Sequence, residues 1–232
     1  LITGILGTTI SPYLFFWQTS QEVEEQIAEG KVTVKARRGT NDKEIKKMRV
    51  DVWTGIFLSN LVMFFIIAVC ANTLFANGIT NINTASDAAQ ALTPLAGKWA
   101  TLLFAIGILG TGMLAIPVLA GSASYAISES FGWKEGLYRK LNEARAFYGV
   151  IIVSILIGIL INFIGIDPIK ALIYSAIANG IISPIVLIFI VHISGSGVVM
   201  GRYKNSPFTN VIGWIVTILM SITALAAIYS LF

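Results

Sequence analysis

Six stretches of this chain, 1–21, 52–86, 99–128, 146–166, 171–201 and 205–232, contain no Lys, Arg, Asp or Glu. Each holds about the 20 helical residues that a bilayer core requires. At that depth a charged side chain is costly and every backbone polar group must be satisfied internally, so stretches of this kind fold as membrane-spanning helices. Period-2 alternation in ten-residue blocks is absent, which argues against an outer-membrane barrel. Composition agrees: 56% of the residues are hydrophobic, 12% are charged and the mean hydropathy is +0.80, far from an ordinary soluble domain.

The sequence predicts an all-α, polytopic membrane domain over 1–232, with spans at about 1–19, 50–75, 99–128, 146–164, 169–193 and 209–232 and a mixed-charge loop over 20–49. Between spans, eight basic residues lie from Lys31 to Arg49, four from Lys134 to Arg145, and two at Arg202 and Lys204, so alternate loops hold fourteen of the 16. The positive-inside rule then makes loops 20–49, 129–145 and 194–208 cytoplasmic. Trp53, Trp99, Trp133 and Trp214 fall near the expected interfaces. The chain starts at Leu1 rather than Met, with no basic flank or small-residue cleavage site, and is expected to be a fragment that begins within a span. The single Cys70 can form no internal disulfide and reads as a small buried apolar residue.

The first span is interrupted. Gly7-Thr8-Thr9-Ile10-Ser11-Pro12-Tyr13 places a proline behind four residues that weaken helical preference, and a proline in a helix interior removes one backbone hydrogen bond. Broken backbone at membrane depth is tolerated where it is buried in protein or lines a water-filled cavity, and transporters place ion sites at such breaks. Other polar residues punctuate the later spans. Asn60 lies among apolar residues of the second span, either as an interhelical hydrogen-bonding group or on a permeation path. The third span is rich in small residues, Gly107, Gly110, Gly112 and Gly121 among them, which predicts a place in the centre of the bundle with a kink at Pro117. The fourth span is almost wholly Ile, Leu and Val and reads as lipid-facing. On the fifth, Asn179 and Ser183 are four apart, with Ser175 and Tyr174 nearby, forming a polar stripe that is expected to face inward. His192 lies at the cytoplasmic end of that span. Thr84 or Ser86 is expected to cap a short interfacial helix that Pro94 and Gly97 end.

No enzyme constellation accompanies these features. There is no His-Glu zinc pattern, phosphate loop or dinucleotide glycine signature, and no carboxylate pair inside a span. Glu22, Glu24 and Glu25 read as a solvated face, since no His, Cys or Asp-rich loop accompanies them. Basic residues lie at membrane edges without interleaved aromatics, which argues against a nucleic-acid partner. No cofactor is expected.

The order of features resembles the second half of the Nramp family of divalent metal ion transporters, over essentially the whole chain. Gly7-Thr8-Thr9-Ile10-Ser11-Pro12-Tyr13 is similar to the family's interrupted-helix motif, in which a small-residue segment leads to Met-Pro-His. Asp51 followed by Asn60 resembles the family's seventh helix. The stretch from Ala91 through Pro94 and Gly97 to Gly107, Gly110 and Gly112 is the most specific. Glu129-Ser130-Phe131-Gly132-Trp133, and Met200-Gly201-Arg202-Tyr203-Lys204-Asn205-Ser206 with Asn210 and Trp214, complete it.

The resemblance implies a LeuT-like fold, of which this chain would hold the second inverted repeat of five helices, the first interrupted, plus one further helix. The other repeat, with its Asp-Pro-Gly ligands, would be a missing N-terminal half. It implies an integral membrane protein of a bacterial-type inner or plasma membrane, with a divalent cation (Mn²⁺, Fe²⁺ or Mg²⁺) as substrate, moved by alternating access. The family's ligands on this helix map to the carbonyl of Thr8 and to Ser11, where a Met thioether would stand. A thioether is soft and a hydroxyl is a hard oxygen donor, so Ser11 relaxes discrimination against Mg²⁺, as in the Met-lacking, magnesium-transporting branch. Two family histidines map to Tyr13 and Gln18, neither of which takes up and releases a proton near neutral pH as an imidazole does, so proton coupling by the family's usual route is not expected and symport stays open. The family's glutamine on the tenth helix maps to Ala176, with Asn179 one turn away. Asn60, Asn179 and Ser183 join Tyr13 and Gln18 as weaker pathway candidates. Two other readings stay open: a LeuT-fold amino-acid transporter, and a non-transporting Nramp-like sensor or signalling domain.

Overall fold

The computed structural model of the protein describes residues 2–10, 13–78, 82, 84–90, 93–165 and 167–230. These are helical almost throughout, with no strand among them, as a polytopic all-α membrane protein requires. The chain opens with α1 (Ile2–Thr9), a π-helical turn over Tyr13–Trp17 and α2 (Gln18–Ala28). Then come α3 (Asp42–Thr73), the short α4 (Ala85–Gln90) and α5 (Thr93–Ala96), and α6 (Ala100–Phe131). They are followed by α7 (Arg145–Phe163), α8 (Pro168–Gly195), the single turn α9 (Gly197–Met200) and α10 (Pro207–Tyr229). By length and composition α3, α6, α7, α8 and α10 can each cross a bilayer.

Local chemistry sets the helix ends. Asn41 accepts the Glu44 amide at 2.9 Å, and Asp42 and Glu44 sit in the first turn where the helix dipole favours negative charge. The helix therefore starts at Asp42, eight residues before the apolar run at Val50 that the sequence takes as the start of the span. Asp167 caps α8 by accepting the amides of Ile169 (2.8 Å) and Lys170 (3.4 Å), with Pro168 in the first turn, where its missing N–H costs nothing. Ser206 and Pro207 repeat the arrangement at α10. Thr84 is the cap of α4: its hydroxyl accepts the Asp87 amide at 3.1 Å, while Asp87 accepts the Thr84 amide at 2.9 Å. Pro94 is the second residue of α5 rather than a terminator, and Gly97, at φ +54°, leads into a 3-10 turn before α6. The stretch between Gly30 and Asn41 is turn and coil.

The described residues form two compact units, 1–15 with 161–232, and 16–160. In the first, α8 packs against both α1 and α10. Thr217, Met220 and Ala224 are buried on α10, and a Cβ added to Gly213 would lie 2.9 Å from a Val191 methyl of α8. In the second unit the core is aromatic. Phe147 of α7 is fully buried against Tyr125 of α6, ring centroids 4.8 Å apart, and Trp17 meets Tyr125 edge-on at 6.0 Å. Ser124 donates to the Phe147 carbonyl at 2.5 Å, tying α6 to α7.

Two expectations change here. The small residues of α6 do not act together: Ala100 is buried at its start and Ala120, Gly121, Ser122, Ser124 and Ser128 near its end, with Gly121 under the Trp17 ring, while a Cβ at Gly107 or Gly110 would meet open space. Small residues permit close approach without supplying a partner, and none of the most apolar window of α6 is buried among the described residues. Pro117 lies inside this helix. The polar stripe of α8 divides as well: Ser183 is buried, Asn179 half-buried, and Tyr174 and Ser175 exposed.

Candidate functional site

The candidate site is the end of α1. Two glycines on α1 let it lie almost backbone to backbone on α8: a Cβ at Gly7 would fall 2.0 Å from the Ala176 carbonyl oxygen and 2.6 Å from the Gly180 nitrogen. The relation is mutual, because a Cβ at Gly180 would fall 2.3 Å from the Thr3 carbonyl oxygen. Thr3 also donates to the Thr223 carbonyl of α10 at 2.8 Å. The start of α1 is thus held by α8 on one side and α10 on the other.

Past Thr9 the helix stops. The Ile10 amide bonds back to Gly7 at 3.4 Å, a tightened final turn, and Ile10 itself is a bend. The hydroxyls of Thr8 and Thr9 turn inward along their own helix, donating to the carbonyls of Ile5 and Leu6 at 2.6 Å each. The Thr8 hydroxyl oxygen keeps its lone pairs, and the group that a helix break frees at Thr8 is the carbonyl. A continued α-helix would pair that carbonyl with the amide of residue 12, and Pro12 has none. Ser11, the second ligand candidate, lies with Pro12 outside the described residues.

The weaker pathway candidates occupy varied settings. Tyr13 is exposed at the start of the π-helical turn, and Gln18 is half-buried at the start of α2. Asn60 is exposed on α3, its amide donating to the Ile56 carbonyl of its own helix at 2.8 Å. Ser183 donates to the Asn179 carbonyl at 2.5 Å, so its hydroxyl proton is committed within α8. The first unit holds Thr8, Tyr13, Asn179 and Ser183; Gln18 and Asn60 belong to the second. His192 is exposed beside a cavity of about 270 Å³ lined also by Ser196, Asn210 and Trp214. Among the described residues no three His, Cys, Asp or Glu side chains are grouped to hold a metal ion, and the Glu22, Glu24, Glu25 cluster is no exception.

Sequence reasoning missed two groups. The α1–α8 crossing at Gly4, Gly7, Ala176 and Gly180 had a signal in small residues spaced three and four apart. Tyr125, the one bulky residue in Gly121-Ser122-Ala123-Ser124-Tyr125, organises the core of the second unit and bonds Glu24.

Comparison with known proteins adds the family. The Nramp family model, described as natural resistance-associated macrophage protein-like, matches residues 1–230. Similar proteins include three named divalent metal cation transporter MntH. That of Deinococcus radiodurans is 25% identical over 95% of this chain and 47% of its own length. That of Clostridium acetobutylicum is 24% identical over 100% of this chain and 50% of its own length. That of Caldanaerobacter subterraneus is 26% identical over 93% and 47%. The chain spans about half the length of the curated relatives it matches. With the family pattern running through residues 1–230, this chain belongs to the Nramp family.

Proposed function

We propose that this chain forms part of a divalent metal cation transporter that works by alternating access, with the end of α1 as its contribution to the ion site. The observation that carries the reading is the interruption after Thr9, in a helix otherwise apolar enough to lie in a membrane. The name shared by the related MntH proteins supports the class of ion. The carbonyl of Thr8 and the hydroxyl of Ser11 are the proposed ligands, both hard oxygen donors, with Tyr13, Gln18, Asn60, Asn179 and Ser183 as weaker candidates along the pathway. A divalent cation also needs carboxylate, and the segment of the family fold not represented in these residues is the proposed source.

Hard donors fit Mg²⁺ as well as Mn²⁺, so the proposed site discriminates poorly between them. Tyr13 and Gln18 stand where the family has histidines and supply no imidazole on this helix, which argues against proton coupling through it. The basic residues favour cytoplasmic placement of loops 20–49, 129–145 and 194–208. The contact between Glu24 and Leu137 is in keeping with the first two lying on one side of the membrane.

The test is uptake of Mn²⁺ and Mg²⁺ by the complete protein in liposomes. Saturable flux of both is expected, and Ser11→Met should shift the preference toward Mn²⁺ by about tenfold or more, the scale of one lost favourable contact. Saturable flux of neither ion refutes the transport reading. An unchanged preference in the Met variant refutes the ligand assignment alone.

A further inference from the structure

A cavity of about 580 Å³ opens in the second unit between α2, the end of α6 and the loop 132–144. Glu24 of α2 fastens all three. Its Oε1 accepts the Tyr125 hydroxyl of α6 and, at 2.7 Å, the Leu137 amide of the loop. The Gln21 side-chain amide donates to the same hydroxyl at 3.4 Å. Gly136, at φ +119°, lets the loop backbone pass close: a Cβ there would be 2.4 Å from the Tyr138 ring and 3.1 Å from Glu24 Oε1. Beside this junction Glu135 Oε2 is buried and has no hydrogen-bond partner among the described residues.

We propose that this junction is a proton-dependent latch: with Glu135 protonated, Glu24 holds α2 to α6 and to the loop, and ionisation of Glu135 releases them. Glu135 is faced by Glu24 from α2 and by Glu129 from α6, and Arg139 on its own loop is the cation that opposes them. Arg37, Lys134, Tyr125 and Tyr138 also line the cavity. From α7 the Tyr148 hydroxyl is committed to the Arg139 carbonyl at 2.8 Å. An ionised Glu135 would thus put a third negative charge beside two carboxylates, with one oxygen buried and undonated.

Burial first, then the Glu129 and Glu24 carboxylates, hold the Glu135 carboxyl above the usual carboxylate range, with Arg139 in partial opposition. Its pKa is higher folded than unfolded. The latch is therefore fully closed below the ordinary carboxylate value and loosens as pH rises through the raised one. The latch stands independently of which ion is carried, and its readout involves no transport.

The experiment is hydrogen exchange by mass spectrometry on the complete protein in detergent, from about pH 5 to about pH 8, with each rate divided by the intrinsic amide rate. Exchange in the 132–144 segment should rise about tenfold across that range, the effect of losing one hydrogen bond to a charged group. Glu135→Gln should keep the segment protected throughout. At the acid end Glu24→Gln and Tyr125→Phe should each expose it about tenfold, and the double variant no further. A pH-independent wild type, or a Glu135→Gln profile matching wild type, overturns the latch. So does Tyr125→Phe with unchanged exchange, since it removes one hydroxyl and keeps the ring.

Discussion

Replacing Gly7 with alanine tests the account of α1 most directly. The added methyl would begin 2.0 Å from the Ala176 carbonyl oxygen, 2.6 Å from the Gly180 nitrogen and 2.9 Å from the Gly180 Cα. All three are backbone atoms, which no rotamer change can move aside. Relative to a normal separation of about 3.5 Å the nearest contact is short by about 1.5 Å, so α1 must lift from α8 along its contact. Overpacking of this kind costs about 1–3 kcal/mol, against which the gain of about 1 kcal/mol in helix propensity from Gly to Ala is the smaller effect. Each kcal/mol lowers the melting temperature of a chain this size by about 2–4 °C, and the same displacement pulls on the carbonyls of the last turn. The assay is thermal unfolding of the purified protein beside Mn²⁺ binding, with Gly110→Ala as control, because a Cβ there meets nothing within 4 Å. The expected pattern is a clear loss of stability in Gly7→Ala and none in Gly110→Ala. A Gly7→Ala protein as stable as wild type would show that α1 and α8 do not touch in this way.

Two further expectations concern single hydrogen bonds. Ser124→Ala removes a buried interhelical bond to the Phe147 carbonyl and should cost about 1 kcal/mol in thermal unfolding. Ser122→Ala, which removes a bond to the Val118 carbonyl of its own helix, should cost less, and the reverse order would contradict the assigned α6–α7 contact. Asp167→Ala should speed amide exchange at Ile169 and Lys170 by about fivefold, for a lost cap of about 1 kcal/mol, without altering the middle of α8.

The long helices were legible because exclusion of charge from a run such as 171–201 is a property of composition that any packing preserves. The break near Thr8 was legible for a similar reason, since Pro12 forbids a hydrogen bond whatever surrounds it. Helix ends were less so: α3 begins at Asp42 because of a side-chain bond from Asn41, which an apolar count passes over. Partners were not legible. The glycines at positions 7 and 110 look alike in sequence, yet one lies against α8 and the other against open space. Glu24 reads as one of three solvated carboxylates, and nothing local marks it as the residue that reaches Tyr125, 101 positions away. Ser183 reads as part of an inward-facing polar stripe, but a helix offers its own carbonyls to such a group first.

The turn that ends α1 has a further consequence for how such a site changes over evolutionary time. The Thr8 and Thr9 hydroxyls donate to the carbonyls of Ile5 and Leu6, and the group at Thr8 that Pro12 deprives of an amide partner is a main-chain oxygen. A main-chain oxygen is indifferent to the side chain attached to it. Drift at position 8 would leave that donor intact, whereas replacing Pro12 would supply an amide to the same oxygen and let the helix run on. Heritable variation in what such a site prefers is thereby channelled to its side-chain donors, Ser11 foremost, while the donor that defines the place is stored in the backbone.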